Sequence, residues 1–449
     1  MEWITAEERA QRMGQEPYAL AHNEVVQAAT TGRDVTALRR RLADLDPDDH
    51  DELLAVYQAA LDAPRTGERT FESSQWDRIH TSLPVPREDR QADEARLADQ
   101  LRGAWTGRVI GNMMGKPVEK GFDRAGLRRH LENENAYPLR DYIPLSDEQH
   151  ARALGFHAVK GLTRGRIDGG VRDDDIDFTV LGLLMLENYG AGLRTADIAY
   201  EWLRRFPVYQ LYTAERAAYQ NLIREIPLTE VGSHHNPYRE WIGAQIRADI
   251  HGYTHPGHPR AAAQAAYTDA WLSHRANGIY AAMWAGALIA SAFTTEGALE
   301  SVHTALEHIP PDCRLAAEIR LVVSQYRAGW SWEDCLDAIE ARHAELSWVH
   351  AVNNTGALVA ALLWGEGDFA ATVGLAVQSG LDTDSIGATA GSWAGARLGY
   401  RSLPGHLVAP LHDRTSTAVF GAGEVILSDL AERTRAVIRA IASSDNKEG

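Results

Sequence analysis

The chain is poor in cysteine: Cys313 and Cys335 are its only two among 449 residues. That excludes a disulfide framework, predicts a reduced and inert pair, and fits a cytoplasmic protein. Long apolar runs are also missing. The longest uncharged one, residues 279–293, has fifteen residues, short of the roughly 20 a membrane-spanning helix needs, and reads as a buried core helix. The opening MEWITAEERAQRMG has early glutamates and no apolar stretch, which speaks against a secretory signal. Positive charge is in deficit too, with a net charge of −17. A surface this acidic repels polyphosphate backbones and anionic lipid, which argues against nucleic-acid and membrane partners. It leaves open a small phosphorylated ligand held locally. Alternating β-branched runs are nearly absent, and no fixed-period repeat or low-complexity segment is found. With 45% hydrophobic and 24% charged residues, disordered and fibrous classes are excluded.

What the chain does have is alanine, leucine and glycine in helical periodicity. Residues 178–189, 261–274, 279–293, 315–326, 353–364 and 386–398 each read as a helix, so the predicted class is all-α. Residues 1–66 are helical in character (EERAQRM, ALRRRLADL, DELLAVYQAALDA), with DPDDHD at 46–51 as a turn. Pro64, Pro84 and Pro86 mark a linker. Residues 1–92 therefore read as a helical extension for packing or oligomerisation, and residues 93–449 as a separate, main helical domain. The helix predicted over 93–114 carries Gly103, Gly107 and Gly111, with Gly115 just beyond. A period of four puts them on one face. Each glycine costs about 1 kcal/mol relative to alanine in a helix. The row therefore implies a second helix packed very close, or a ligand approaching the backbone.

Two acidic clusters open helices. Asp173, Asp174 and Asp175 follow Gly169-Gly170 and precede an apolar helix; Asp382, Asp384 and Ser385 follow Gly380 and precede a helix of small residues. One aspartate suffices to cap a helix, so each cluster holds more charge than capping needs. An Asp-x-Asp phosphotransfer site of the haloacid dehalogenase type would need a buried strand before it, and residues 375–377 have helical spacing instead. Both helices must be buried, and burying several carboxylates without cations costs several kcal/mol each. Carboxylates plus a hydroxyl are hard donors that suit Mg²⁺, Mn²⁺ or Ca²⁺. Five or six of them suit two ions sharing ligands.

These residues resemble the ADP-ribosylglycohydrolase family, typified by the dinitrogenase-reductase-activating glycohydrolase, over about residues 95–405. The motifs are Gly380-Leu381-Asp382-Thr383-Asp384-Ser385; Asp173-Asp174-Asp175-Ile176; Gly115-Lys116-Pro117-Val118-Glu119; and Ala276-Asn277-Gly278. The resemblance implies an all-α bundle of orthogonally packed helices and a centre of two Mg²⁺, or Mn²⁺. It implies Asp173, Asp174, Asp175, Asp382, Asp384 and Ser385 as ligands. Asp173 and Ile176 stand where the family usually has threonine. Glu119 and Asp384 are the implied catalytic carboxylates. Gly111, Gly115, His274, Asn277, Gly278 and Met283 are the implied substrate contacts, with phosphate on backbone N–H groups of the two glycine-bearing segments. Trp284 replaces the arginine expected after Met283. The implied reaction is hydrolysis at ribose C1. The implied substrate is an ADP-ribosyl group N-linked to arginine or a similar acceptor, as on an ADP-ribosylated protein, or alternatively a small nucleoside- or nucleotide-like metabolite whose N-glycosidic bond is cleaved. A non-catalytic ADP-ribose-binding relative is the third reading.

Overall fold

The computed structural model describes residues 16–66, 70–146 and 161–448. The described residues are 65% helical, with 21 α-helices and one two-stranded sheet among them. Helices used below are α1 Pro17–Thr30, α2 Thr36–Asp44, α3 His50–Asp62, α4 Trp76–Ser82, α5 Glu94–Gly115, α6 Asp174–Tyr189, α7 Asn277–Ala292, α8 Ala351–Trp364 and α9 Thr383–Leu398. Each helix expected from periodicity is present. The one expected over 261–274 spans Pro259–Ala270. The EERAQRM segment lies outside the described residues. The antiparallel hairpin β1 (Arg414–Ser416) and β2 (Glu424–Ile426) is the only sheet among the described residues. Among them no helix is long and apolar enough to cross a membrane. Cys313 and Cys335 are free and buried, and burial pushes both thiols up to about 12.

Two hydrophobic clusters form. The smaller contains Leu20, Val25, Leu42, Leu53, Val56 and Tyr57, from α1, α2 and α3. Its bundle is tied to the larger body by buried polar pairs. Arg239 donates to Glu24 at 2.6 and 2.8 Å, and Gln27 to Glu240 at 2.6 Å. The stretch expected as a linker contains α4, whose Ile79 is fully buried in the main core. Tyr280 donates to the Ser73 carbonyl at 2.5 Å and Tyr267 to that of Ser74 at 3.0 Å. Prolines at both ends misled the linker reading, because the apolar residues between them find their partners some 200 positions downstream.

The glycine row has a definite partner. Helices α5 and α9 run antiparallel with their backbones in contact. A Cβ on Gly103 would meet the Gly395 carbonyl oxygen at 2.3 Å, on Gly107 that of Gly391 at 2.2 Å, on Gly111 that of Gly387 at 1.9 Å, and on Gly115 that of Thr383 at 2.2 Å. The contact is reciprocal, since a Cβ on Gly391 or Gly395 would meet Gly107 or Gly103 oxygen at 2.0 Å. Among the described residues no other helix pair is packed so intimately.

A methyl group here has only backbone to push against, which cannot rotate away. Gly107→Ala is expected to cost at least about 2 kcal/mol in chemical denaturation. Gly405→Ala, on a helix with nothing within 4 Å, should change stability by less than about 0.5 kcal/mol. Equal effects would refute the role assigned to the glycine contact.

Candidate metal and substrate site

Antiparallel packing brings the C-terminal end of α5 to the N-terminal end of α9. Glu119, one short turn beyond α5, thereby meets Asp382 and Asp384, and one oxygen from each lies within 4.8 Å of the others. Asp173, Asp174 and Asp175 form a second set within the same limit at the start of α6. Asp175 joins the two, accepting from Ser385 Oγ and from Asn112 Nδ2, both at 3.4 Å. Backbone groups orient the acids. Asp173 Oδ1 accepts from the Asp174 N–H at 2.8 Å, Asp384 Oδ1 from the Ser385 N–H at 3.0 Å, and the Asp382 N–H donates to Asn354 Oδ1 at 3.0 Å.

Few cations balance these six carboxylates. Lys116 Nζ lies 2.6 Å from Asp173 Oδ2. Arg108, fully buried, spends its charge chiefly on Asp249 at 2.6 Å and donates to the Asp175 carbonyl at 2.7 Å. Burial and neighbouring carboxylates therefore push Asp174, Asp175 and Asp384 well above the usual carboxylate range. Burial and then Glu119 push Asp382 up to about 7, and burial raises Glu119 itself. Asp173 goes the other way: burial opposes its charge, but Lys116 and the cap hydrogen bonds hold it low. Asp175 Oδ1 is buried without a hydrogen-bond partner. Hard oxygen donors with surplus negative charge and an unpartnered oxygen fit a divalent cation.

All six acids and Ser385 line one cavity of 230 Å³. Its other walls include Tyr212, Glu215, Trp241 and Trp348, so polar and aromatic surfaces converge as in a small-molecule site. The sequence pattern described as ADP-ribosylglycohydrolase matches residues 93–442. The chain belongs to the ADP-ribosylglycohydrolase family. This family is metal-dependent and acts on ADP-ribosylated substrates, and membership supports a glycohydrolase activity. No match is found among curated proteins. Among solved structures, a chain titled "ADP-ribosylglycohydrolase-related protein complex" is 20% identical with a TM-score of 0.47, covering 77% of this chain and 99% of that one.

In this family member the expected substrate contacts lie apart from the cavity. Gly111 and Gly115 are spent on α9. Asn277 is buried, donating to Glu240 at 2.9 Å and accepting from the Leu315 N–H at 3.0 Å. The N–H of Ala276 donates to Ser74 Oγ at 3.0 Å, so the segment before α4 covers the helix end that was expected to hold phosphate. A Cβ on Gly278 would meet the Arg239 carbonyl at 2.4 Å, and Met283 is fully buried. His274 bonds Ser273 Oγ at 2.8 Å, and burial together with Arg247 and Arg275 keeps it neutral. It stands 3.9 Å behind Glu215.

Sequence reading missed Arg108, Asn112 and Lys116. They recur every four residues before Glu119, a polar stripe on a helix otherwise buried. That spacing was the available signal. Asn354 and the aromatic walls come from distant segments and left none.

Without metal, the unfolded chain releases the Asp382 proton at about pH 4, whereas the folded state holds it up to about pH 7. Stability in EDTA should fall as pH rises through that window. Asp384→Asn should raise the melting temperature in EDTA by relieving repulsion, while reducing the rise that Mg²⁺ or Mn²⁺ gives the wild type. An Asp384→Asn protein that melts lower in EDTA and keeps the full metal response would refute the assignment.

Proposed function

We propose that the protein is a metal-dependent glycohydrolase that cleaves the bond at ribose C1 of an N-linked ADP-ribosyl group. The observation carrying this reading is the convergence of carboxylates from three separate segments on one cavity. Asp174, Asp175, Asp382, Asp384 and Ser385 would hold two divalent ions, Mg²⁺ or Mn²⁺. Asp173, with both oxygens engaged by Lys116, Asn112 and its own helix end, serves to fix the start of α6. What the ions supply when bound is Lewis acidity toward water and the vicinal ribose hydroxyls.

The residues of the chain do the rest. The carboxylates stabilise positive charge developing at C1 and on the ring oxygen. Glu119 takes the proton of the attacking water on a carboxylate oxygen. Its raised proton affinity suits that task. As the water oxygen bonds to C1, the C1–nitrogen bond breaks and the proton returns to the departing nitrogen. Trp241, Trp348 and Tyr212 supply an aromatic wall of the cavity.

The test is release of ADP-ribose from ADP-ribosylarginine, with Mg²⁺ and with EDTA. Turnover should require metal, and Glu119→Gln should lower kcat by about 10²–10⁴ while leaving the metal-induced melting shift in place. Undiminished turnover in Glu119→Gln would remove it as the base. Metal binding with no turnover would favour a binding protein over an enzyme.

A further inference from the structure

The sequence contains four lysines against forty-one arginines. Two of the four, Lys116 and Lys120, line the carboxylate cavity, and among the described residues no arginine or histidine does. Their chemistry differs from that of the arginines around them. A guanidinium among carboxylates locks into a bidentate pair, whereas an ammonium is a compact point charge with three donors on a flexible stem. Lys116 is fixed on Asp173 at 2.6 Å, with its side chain 22% exposed. Lys120 is held by nothing comparable. Its Nζ is 3.8 Å from Glu119 Oε1, beyond hydrogen-bond reach, and 5.9 Å from the centre of the Tyr212 ring, with 63% of the side chain exposed. It makes no hydrogen bond among the described residues.

A −17 protein with seven carboxylates lining its cavity repels anions. The two backbone segments expected to hold phosphate are sealed in helix packing. Among the described residues, the side-chain cations that line the cavity are Lys116 and Lys120. We propose that Lys116 and Lys120 form an anion subsite at the carboxylate cavity, through which the enzyme selects ribosides that carry a phosphate. This rests on the C1-glycohydrolase reading and specifies its substrate class. Lys120 is the contact that swings onto the phosphoryl oxygens. Lys116 is the fixed charge that orients them and keeps them off Asp173.

The experiment uses the full chain in Mg²⁺ and measures dissociation constants for ADP-ribose, ribose 5-phosphate and ribose by calorimetry. Lys120→Met should weaken ADP-ribose and ribose 5-phosphate at least tenfold and leave ribose unchanged, and Lys120→Arg should restore most of the loss. Weakening of ADP-ribose alone would place the subsite on the diphosphate; weakening of both would place it on any ribose-linked phosphate. Lys116→Met should weaken the phosphorylated ligands while the variant still melts in a cooperative transition. Equal affinity of Lys120→Met and wild type for both phosphorylated ligands would overturn the subsite, as would an equal loss for ribose. A wild type that binds none of the three in Mg²⁺ would overturn the glycohydrolase reading itself. A wild type that binds ribose as tightly as ribose 5-phosphate and ADP-ribose would overturn the subsite alone.

Discussion

The backbone contact between α5 and α9 is the constraint on which the rest depends. Two helices with side chains at the seam sit 8–10 Å apart, whereas facing glycines let the chains approach until carbonyl oxygens touch Cα atoms. The helices are antiparallel, so the contact runs from Gly103 against Gly395 to Gly115 against Thr383. Its last step is the active end. Thr383 donates to the Gly115 carbonyl at 2.8 Å, and the residues on either side of Thr383 are Asp382 and Asp384. Glu119 follows Gly115 by four residues. The spacing between the backbone that carries Glu119 and the acids of α9 is therefore set by main-chain atoms, which have no rotamers to relax.

Such rigidity has an energetic purpose. Six carboxylates gathered around few cations repel one another, and a softer scaffold would let them drift apart into water. The main core, which includes Trp105, Trp284, Trp393 and most of α7 and α8, supplies the stability that holds them together. Arg108 acts at the same place from below, binding the Asp175 carbonyl and Asp249 so that α6 cannot move away from α5. The site is thus preorganised for cations and unfavourable without them, the usual bargain at a functional centre.

Features encoded locally were legible in the sequence. Each acid cluster reads as a helix start because capping is decided within four residues, and both clusters open helices as expected. The all-α class followed from periodicity alone. The glycine row was read as close packing or ligand approach, and both uses were assigned to Gly111 and Gly115. Only the fold shows that Gly387, Gly391 and Gly395 consume the whole face. The Asn277-Gly278 turn was also local and does open α7, but what covers it, Ser74, lies some 200 residues earlier. The polar stripe of Arg108, Asn112 and Lys116 was hidden by the more conspicuous glycines one residue away on the same helix.

The segment around α4 carries a consequence of its own. The family pattern begins at residue 93, yet Phe71 and Ile79 pack into the main core, and two tyrosine hydroxyls hold Ser73 and Ser74. The boundary drawn by similarity and the boundary drawn by packing differ by about twenty residues. A chain cut where the resemblance starts would leave an open apolar furrow along Tyr267, Tyr280 and the beginning of α7. Some twenty residues with no counterpart in the family pattern thus close the wall of the family's own fold.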